Sequence, residues 1–426
     1  MKKFRFSAAV LAALMTGGAF AQQGPIQFQA KGILALSDAD MTPSALVDNN
    51  LYRGKNNRDQ MTIVTFPLNR NGQNMASLGV SNSAALYDKA AAVTPNGRLA
   101  FVLEGYGQIS DSLTTLKNGM KDYPAAARLF IVDMTQPLKP AVKVASFSSA
   151  PSAVSMNPQG TMLVIGSGDA GKEIRLLEFD NTGKPTRNLT TASPVAGQKI
   201  TDLAWHPSGQ FIAYTVAGTG EVGLLKMTLD QTRKPTLAPH GKTVKVGTMP
   251  ATGRFTPDGN FFIVSDIKKE ASGQGAGKGE IMVVQFSTED TPGEHKLVGT
   301  TAAGESAEAL AVSPDGATLV VVNANQSYQP YGNPAAGKSS ISVYSIGKDG
   351  QLALANEYPL EGVAPQSVDF DKSGNAIAVG VSEYVDYGDR MGGIEFFKVN
   401  KGDKPSLERM PGKISVPRGV HTVKVF

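Results

Sequence analysis

A short turn recurs six times along the chain and constrains its fold more than any other feature. Five copies have the form x-Pro-x-Gly, and the sixth has Lys in place of Pro. The copies are Thr94-Pro95-Asn96-Gly97, Asn157-Pro158-Gln159-Gly160, His206-Pro207-Ser208-Gly209, Thr256-Pro257-Asp258-Gly259, Ser313-Pro314-Asp315-Gly316 and Asp371-Lys372-Ser373-Gly374. Because Pro presets φ at the first central position and Gly tolerates positive φ, each copy predicts a tight reversal of the chain. Steps of 63, 49, 50, 57 and 58 residues between the glycines indicate a repeated structural unit.

Short β-rich runs flank each turn. Residues 310–312 precede the fifth turn, residues 319–322 follow it, and a third run lies at residues 341–346. Apolar runs without strict alternation indicate strands that are covered on both faces. Each unit therefore predicts at least three neighbouring strands of one small sheet.

A seventh unit near the N-terminus has no turn motif. Its third strand is expected at residues 62–66, its second at 33–37, and its first at the other end of the chain, at 421–425. The sequence thus predicts an all-β fold, a seven-bladed β-propeller of four-stranded antiparallel blades. The N- and C-terminal strands share one blade, which leaves no long open edge. The alternative, a parallel α/β protein, is disfavoured because no stretch shows sustained 3.6-residue periodicity.

The first 21 residues have the pattern of a secretory signal peptide. Its parts are a basic start (Lys2, Lys3 and Arg5), an apolar run at residues 6–15, and a small-x-small cleavage site at Ala19-Phe20-Ala21. The apolar run is too short to span a bilayer, and no later segment is long enough without charges. We therefore expect export to a bacterial periplasm, no membrane span, and one propeller domain over residues 22–426.

Composition excludes several classes of function. The signal carries three basic residues, so Lys plus Arg falls from 41 to 38 against 37 acids, and a net charge of +1 disfavours nucleic acid binding. The absence of Cys excludes thiolate metal sites and a Cys nucleophile. No His pair has zinc spacing, so neither a metal nor a cofactor is predicted. Glu383, Asp386 and Asp389 share one loop, which we interpret as a solvated acidic loop rather than a Ca²⁺ site.

The repeat unit resembles that of the lactonase-type seven-bladed propellers, which include bacterial 6-phosphogluconolactonase and the YVTN-repeat surface proteins. The resemblance is clearest at Ala311-Val312-Ser313-Pro314-Asp315-Gly316 and at residues 341–346 with Gly350-Gln351-Leu352. The turn also resembles repeats of TolB-type propellers. In the lactonase family a Pro-Arg-His sequence often precedes a first strand. Pro151, Pro250 and Pro365 keep the position of that Pro, but neither Arg nor His follows them.

The resemblance implies hydrolysis of a lactone. That reaction needs a base to activate water and a cation or hydrogen-bond donor for the developing oxyanion. The sequence offers Glu308 or Asp202 as the base with Arg418 as the cation, and His421 as a further candidate in the last blade. The alternative is that these charged residues are a solvated lining of the funnel.

Long loops are expected on the face opposite the turns, around the central funnel. They cover residues 38–60, 104–127, 266–279, 324–339 and 382–392, and they hold seven of the 11 tyrosines. The candidate ligand-binding residues are Tyr52, Tyr106, Tyr123, Asp266, Asn323, Tyr328, Tyr331, Tyr384 and Tyr387. Tyr combines contact area with a hydroxyl at low entropic cost, although the rings could equally pack the loops onto the propeller.

The sequence therefore leaves two functions open. The preferred prediction is an exported binding or scaffolding protein that holds a small molecule, a glycan or a protein partner at the Tyr-rich face. The alternative is a lactone hydrolase that acts in the funnel.

Overall fold

A computed structural model describes residues 26–426, apart from residues 53, 55–57, 69–73, 81–83, 192–196, 269–276, 292, 331 and 386–389. The described residues form seven antiparallel sheets, six of four strands and one that also includes a short fifth strand. The predicted seven-bladed β-propeller is confirmed, with the N- and C-terminal strands in one blade. The expected signal peptide lies outside the described residues.

The strands follow one another blade by blade. Blade 1 begins with β1 (Gly32–Ser37), β2 (Gln60–Thr65) and β3 (Met75–Gly79). Blade 2 contains β4 (Ala91–Val93), β5 (Leu99–Tyr106), β6 (Ala125–Asp133) and β7 (Ala141–Ser146). Blade 3 contains β8 (Pro151–Met156), β9 (Met162–Ser167), β10 (Ile174–Phe179) and β11 (Pro185–Thr191). Blade 4 contains β12 (Asp202–Trp205), β13 (Phe211–Val216), β14 (Glu221–Leu229), β15 (Pro235–Pro239) and β16 (Val244–Lys245).

The remaining strands complete the ring. Blade 5 contains β17 (Pro250–Phe255), β18 (Phe262–Asp266), β19 (Lys278–Gln285) and β20 (Lys296–Glu305). Blade 6 contains β21 (Ala307–Val312), β22 (Thr318–Asn323), β23 (Ser340–Ile346) and β24 (Leu352–Pro359). Blade 7 contains β25 (Val363–Phe370), β26 (Ala376–Glu383), β27 (Gly392–Asn400) and β28 (Ser406–Val416), and β29 (Val420–Val425) returns to blade 1.

Helices are few among the described residues. They are one α-helix, α1 (Pro43–Asp48), and two 3₁₀ segments, Ala84–Lys89 and Gly119–Asp122. None of them combines the length and the apolarity needed to cross a membrane.

The recurrent turns have the geometry that their sequence predicts. All six turn glycines have positive φ, between 68° and 78°. In the sixth copy, which lacks Pro, the Asp371 carboxylate accepts a hydrogen bond from the backbone N–H of Asn375 at 3.0 Å. Neighbouring turns also touch, because a Cβ atom on Gly160 would lie only 2.7 Å from Cδ of Pro95. Similar close approaches join each later turn to the one before it, so the six turns lie side by side on one face of the propeller.

Pairing between the two ends of the chain closes the propeller. β29 runs antiparallel to β1, with Val425 opposite Ile33, and the backbone N–H of Phe426 donates to the carbonyl of Gly32 at 3.0 Å. The ring of Phe426 lies over Gly32 and Gly97, where a Cβ would approach it to 2.5 Å and 2.7 Å. Phe426 is buried and belongs to the same core cluster as residues of blade 2. The closing strand is thus held by hydrogen bonds and by apolar packing.

The first strand of each blade faces a central channel. Consecutive first strands contact one another around the whole ring, from β4 through β8, β12, β17, β21 and β25 to β29. The 3₁₀ segment Ala84–Lys89 contacts four of these strands, β8, β21, β25 and β29, and therefore lies inside the channel. We call this segment the channel plug.

Replacing Phe426 with Ala tests the closure. We expect the free energy of unfolding to fall by about 3–5 kcal/mol, because the substitution removes a buried ring and leaves a cavity. Urea denaturation of the variant measures this loss. Leu354→Ala, on exposed strand β24, is the matched control and should change stability by less than about 0.5 kcal/mol. Equal effects of the two substitutions would contradict the role of Phe426.

Candidate functional site at the central channel

The channel plug changes direction at Tyr87. This residue has φ = 48°, a left-handed conformation that a bulky side chain seldom adopts. Its carbonyl oxygen accepts a hydrogen bond from Thr422 Oγ1 at 2.6 Å, which ties the plug to β29. From the plug, the side chains of Asp88 and Lys89 extend to the channel wall, where both reach β17.

Glu308 is the central carboxylate at the channel mouth opposite the turns. Its side chain is buried, and its Oε2 accepts a hydrogen bond from Gln366 Nε2 at 3.0 Å. Burial raises the pKa of Glu308 to about 7, although the hydrogen bond from Gln366 and the positive charge of Lys89 oppose the shift. A carboxyl group with this pKa can both accept and release a proton near neutral pH.

Lys89 supplies a positive charge within electrostatic reach of Glu308. It is buried, and its Nζ donates a hydrogen bond across the channel to the carbonyl of Ala251 at 3.1 Å. Burial lowers the pKa of the Lys89 ammonium, and the negative charge of Asp202 opposes this shift. The mouth therefore combines a carboxylate and an ammonium group in a site of low polarity.

Two phenol groups lie within electrostatic reach of Glu308. The charge of Glu308, together with burial, raises the pKa of Tyr87. Burial is the larger cause for Tyr328, and the charge of Glu308 adds to it. Both phenols therefore remain protonated near neutral pH and can donate hydrogen bonds.

The repeat brings these groups together. Lys89, Glu308 and Gln366 each lie six residues before the second residue of their turn, so they occupy equivalent positions in blades 2, 6 and 7. Glu308 is a candidate base from the sequence alone, whereas Lys89, Gln366 and Tyr87 have no role that the sequence predicts. Lys89 and Gln366 occupy this position when the repeats are aligned at their turns, but the sequence does not show that they act on Glu308.

Asp88 attaches the plug to the channel wall nearer to the turns. Its carboxylate contacts the Arg254 guanidinium, accepts from Ser367 Oγ at 2.6 Å, and lies 2.8 Å from Lys424 Nζ. Asp202 lies on the same side of the plug. Its Oδ2 accepts from the backbone N–H of Gly253 at 2.8 Å and is 3.3 Å from Arg254 Nη1.

Arg418 has other partners than the sequence analysis expected. Its fully buried guanidinium lies 3.5 Å from Glu383 and donates through Nε to the carbonyl of Ala39 at 2.7 Å. The cation beside Asp202 is Arg254, and the cation that acts on Glu308 is Lys89. The sequence does not show this arrangement, because the depth of Arg418 depends on how residues 38–42 pack against the closing blade.

His421 does reach the channel wall, at the same level as Glu308. Its Nδ1 lies 2.9 Å from Thr422 Oγ1 and 3.5 Å from the carbonyl of Tyr87. On the other side of the ring, Nε2 lies 3.3 Å from Asp38 Oδ2. Both nitrogens therefore have partners within the fold.

Several candidate tyrosines hold the long loops in place. Tyr123 and Tyr384 are buried, and their hydroxyls donate to the Asp40 carbonyl at 2.5 Å and to the Glu395 carboxylate at 2.6 Å. Tyr106 packs edge-on against Tyr123, with 6.3 Å between the ring centroids. Ligand binding by these three rings stays a prediction, since each has a packing role in the fold.

The other candidate residues lie partly in the long loops and partly at the strand ends that carry these loops. Tyr52 bonds to Asp48, and the Arg390 guanidinium lies 3.7 Å from its ring centroid. The two polar candidates, Asp266 and Asn323, are buried and bonded to neighbouring chain segments. Only Tyr328, among the described tyrosine candidates, lies near Glu308. Tyr331 and Tyr387 lie outside the described residues.

The described residues contain no group of three or more His, Asp or Glu side chains arranged to hold a metal ion. Of the acidic loop, Glu383 is buried and bonded to Ser44 and Arg418, while Asp386 and Asp389 lie outside the described part of the chain. Glu383 thus has a structural role in the closing region.

Comparison with known proteins identifies the family. The model of the family "Lactonase, 7-bladed beta-propeller" matches residues 130–420. The chain belongs to this family. No curated protein matches the sequence at a significant level.

Solved structures share the fold of this lactonase family member at low sequence identity. A periplasmic gluconolactonase of Pseudomonas aeruginosa has a TM-score of 0.59 and 14% identity over 92% of this chain and 98% of its own. A putative 6-phosphogluconolactonase of Bacteroides uniformis has a TM-score of 0.57 and 15% identity over 94% of this chain and 100% of its own. A protein of unknown function from Desulfotomaculum acetoxidans is similar to the same degree, with a TM-score of 0.57.

The raised pKa of Glu308 predicts a specific pH dependence of stability. A carboxyl whose pKa is raised by folding stabilises the fold below its ordinary pKa, and this contribution is lost as the pH rises through about 7. Between about pH 5 and about pH 8, the free energy of unfolding should therefore fall by about 2 kcal/mol more in the wild type than in Glu308→Gln.

Urea denaturation at both pH values measures this difference. Glu361→Gln, which changes an exposed glutamate, is the control and should keep the pH dependence of the wild type. The assigned burial of Glu308 is wrong if its Gln variant follows the wild-type curve.

Proposed function

We propose that the protein hydrolyses a lactone at the channel mouth, with Glu308 as the general base. One observation carries the proposal: a buried carboxyl group with a pKa of about 7 lies within electrostatic reach of a buried lysine in a member of the lactonase family. A base is most effective when its pKa lies near the working pH, which is the condition that Glu308 meets.

The residues at the mouth can account for each step of the reaction. Glu308 takes a proton from water as the water oxygen attacks the lactone carbonyl carbon. The resulting oxyanion is stabilised by the Lys89 ammonium and by a phenol group of Tyr87 or Tyr328. When the carbon–oxygen bond of the ring breaks, protonated Glu308 returns the proton to the leaving ring oxygen. Lactone and water thus become one hydroxy acid, and Glu308 is regenerated.

Two further residues position these groups. Gln366 donates to Oε2 of Glu308 and leaves the other carboxylate oxygen to act on water. The carbonyl of Ala251 fixes the Lys89 ammonium in the channel. Held in place before the substrate arrives, the charges need little reorganisation during the reaction.

The structural neighbours suggest sugar lactones as the first substrates to test, since two of them are named as a gluconolactonase and a putative 6-phosphogluconolactonase. We also propose that residues 1–21 direct export to the periplasm, which agrees with the periplasmic location in the name of the first of these neighbours. Residues 22–426 would then form one domain. The binding or scaffolding function has less support, because Tyr123 and Tyr384 use their hydroxyls within the fold.

Hydrolysis of δ-gluconolactone tests the proposal directly. The wild type should accelerate the reaction, and Glu308→Gln should lower kcat/KM by at least about 100-fold because the base is lost. The kcat/KM of the wild type should rise with pH through about 7, as Glu308 loses its proton. Acid release, corrected for spontaneous hydrolysis, measures each rate.

Two further variants sharpen this experiment. Lys89→Met should lower kcat/KM by about 10- to 100-fold through loss of oxyanion stabilisation, whereas Glu361→Gln should have no effect. Full activity of Glu308→Gln would exclude the assigned base. Saturable binding of sugar lactones by a wild type that does not hydrolyse them would favour the binding function instead.

A further inference from the structure

A second cavity lies in the channel on the turn side of the plug. Its volume is about 310 Å³, and it extends from Asp88 and Lys89 of the plug to Pro207 of the third turn. Small-molecule sites in proteins have volumes of about 300–1,000 Å³, so the cavity is large enough for a small ligand. The plug separates it from the mouth that holds Glu308.

The charges that a ligand could reach in this cavity are positive. Asp88 and Asp202 are only 2% exposed, and both are bonded to wall residues. The side chains of Arg254 and Lys424 keep 27% and 19% of their surface exposed while they contact these carboxylates. The buried carboxylates therefore hold Arg254 and Lys424 in place, and the exposed parts of these two side chains face the cavity.

Asp369 is the remaining carboxylate near these cations. Its two oxygens accept hydrogen bonds from the backbone N–H groups of Phe370 at 3.0 Å and Val425 at 2.9 Å. It does not line the cavity. Its charge is directed to the backbone of β25 and β29.

The rest of the wall is largely apolar. Trp205, Phe255, Met156 and Val93 line the cavity, and Phe255 also packs against the ring of Phe262 at 5.0 Å between centroids. Flat apolar groups pack well against aromatic side chains, and a guanidinium group forms paired hydrogen bonds with a carboxylate.

We infer that this cavity is a second ligand site, which binds a small carboxylic acid with a flat apolar body. A carboxylate brings one negative charge to Arg254 and Lys424, while its apolar body contacts Trp205 and Phe255. Inorganic phosphate suits the site less well, because it would carry more charge next to Asp88 and Asp202 and leave the apolar wall unfilled. Lys89 lines both sites, but it is buried and its Nζ donates to the carbonyl of Ala251. The carboxylate site does not require the proposed base, because Glu308 does not line this cavity.

The chain contains one Trp, Trp205, so indole fluorescence reports on the surroundings of a residue that lines this cavity. Titration of the full-length protein with benzoate, excited at the red edge of the indole band, should give a saturable change. Benzamide, which has the same shape without the charge, should bind at least about tenfold more weakly. Inorganic phosphate should cause no saturable change. Equal responses to benzoate and benzamide, or a response to phosphate alone, would overturn the inference.

A pair of lysine variants tests the role of the charge. Lys424→Met should weaken benzoate binding by about tenfold, because it removes one of the two partly exposed cations, Arg254 and Lys424. Lys401→Met is the matched control, since Lys401 also lies on the turn face, bonded to Asp315 and to the carbonyl of Ser373, but outside the cavity. An unchanged affinity in Lys424→Met would place the benzoate elsewhere.

If Lys424→Met does not fold, the comparison of benzoate with benzamide in the wild type still decides the question. The result is also separable from the proposed function. Lactone hydrolysis without a benzoate response would support the proposed active site and contradict the second ligand site. A benzoate response without lactone hydrolysis would support only the second ligand site.

Discussion

Antiparallel pairing of β29 with β1 is the interaction on which the rest of the structure depends. It joins residues from opposite ends of the chain and converts seven separate sheets into a closed ring. In a closed ring, the first strand of every blade has neighbours on both sides, so their side chains converge on one axis. Lys89, Glu308 and Gln366 are distant in sequence, yet the ring places them at one level of the channel. Closure therefore supports the proposed function as well as the stability of the fold, because it assembles the channel.

The channel plug arranges buried charges so that each has a partner. Isolated charges in a protein interior are costly, whereas paired and hydrogen-bonded charges are tolerated. Asp88 balances Arg254 and Lys424 on the turn side, while Lys89 acts on Glu308 at the mouth. The same burial that demands this balance raises the pKa of Glu308, so the packing of the channel and the proposed chemistry have a common physical origin.

The architecture was predictable because it follows from local chemistry. Each turn needs a residue with positive φ, and glycine marks that position in the sequence; the strand absent near the N-terminus pointed to residues 421–425. The site was only partly predictable. Glu308 follows from the repeat, but the plug depends on the left-handed conformation of Tyr87, which no sequence pattern marks. Arg418 has its partners in residues packed by the tertiary fold, and the abundance of tyrosine could not distinguish packing from binding.

Three consecutive residues of the plug serve opposite ends of the channel. Asp88 is held by the turn-side wall. Tyr87 lies near Glu308 at the mouth, and Lys89 lines the turn-side cavity while its charge acts on Glu308. A loss or gain of one residue in this segment would misplace groups at both ends at once, although a substitution could alter one end alone. Both ends of the channel therefore restrict the length of this segment. We expect the mouth and the turn-side cavity to evolve by exchange of side chains rather than by insertions or deletions in the plug.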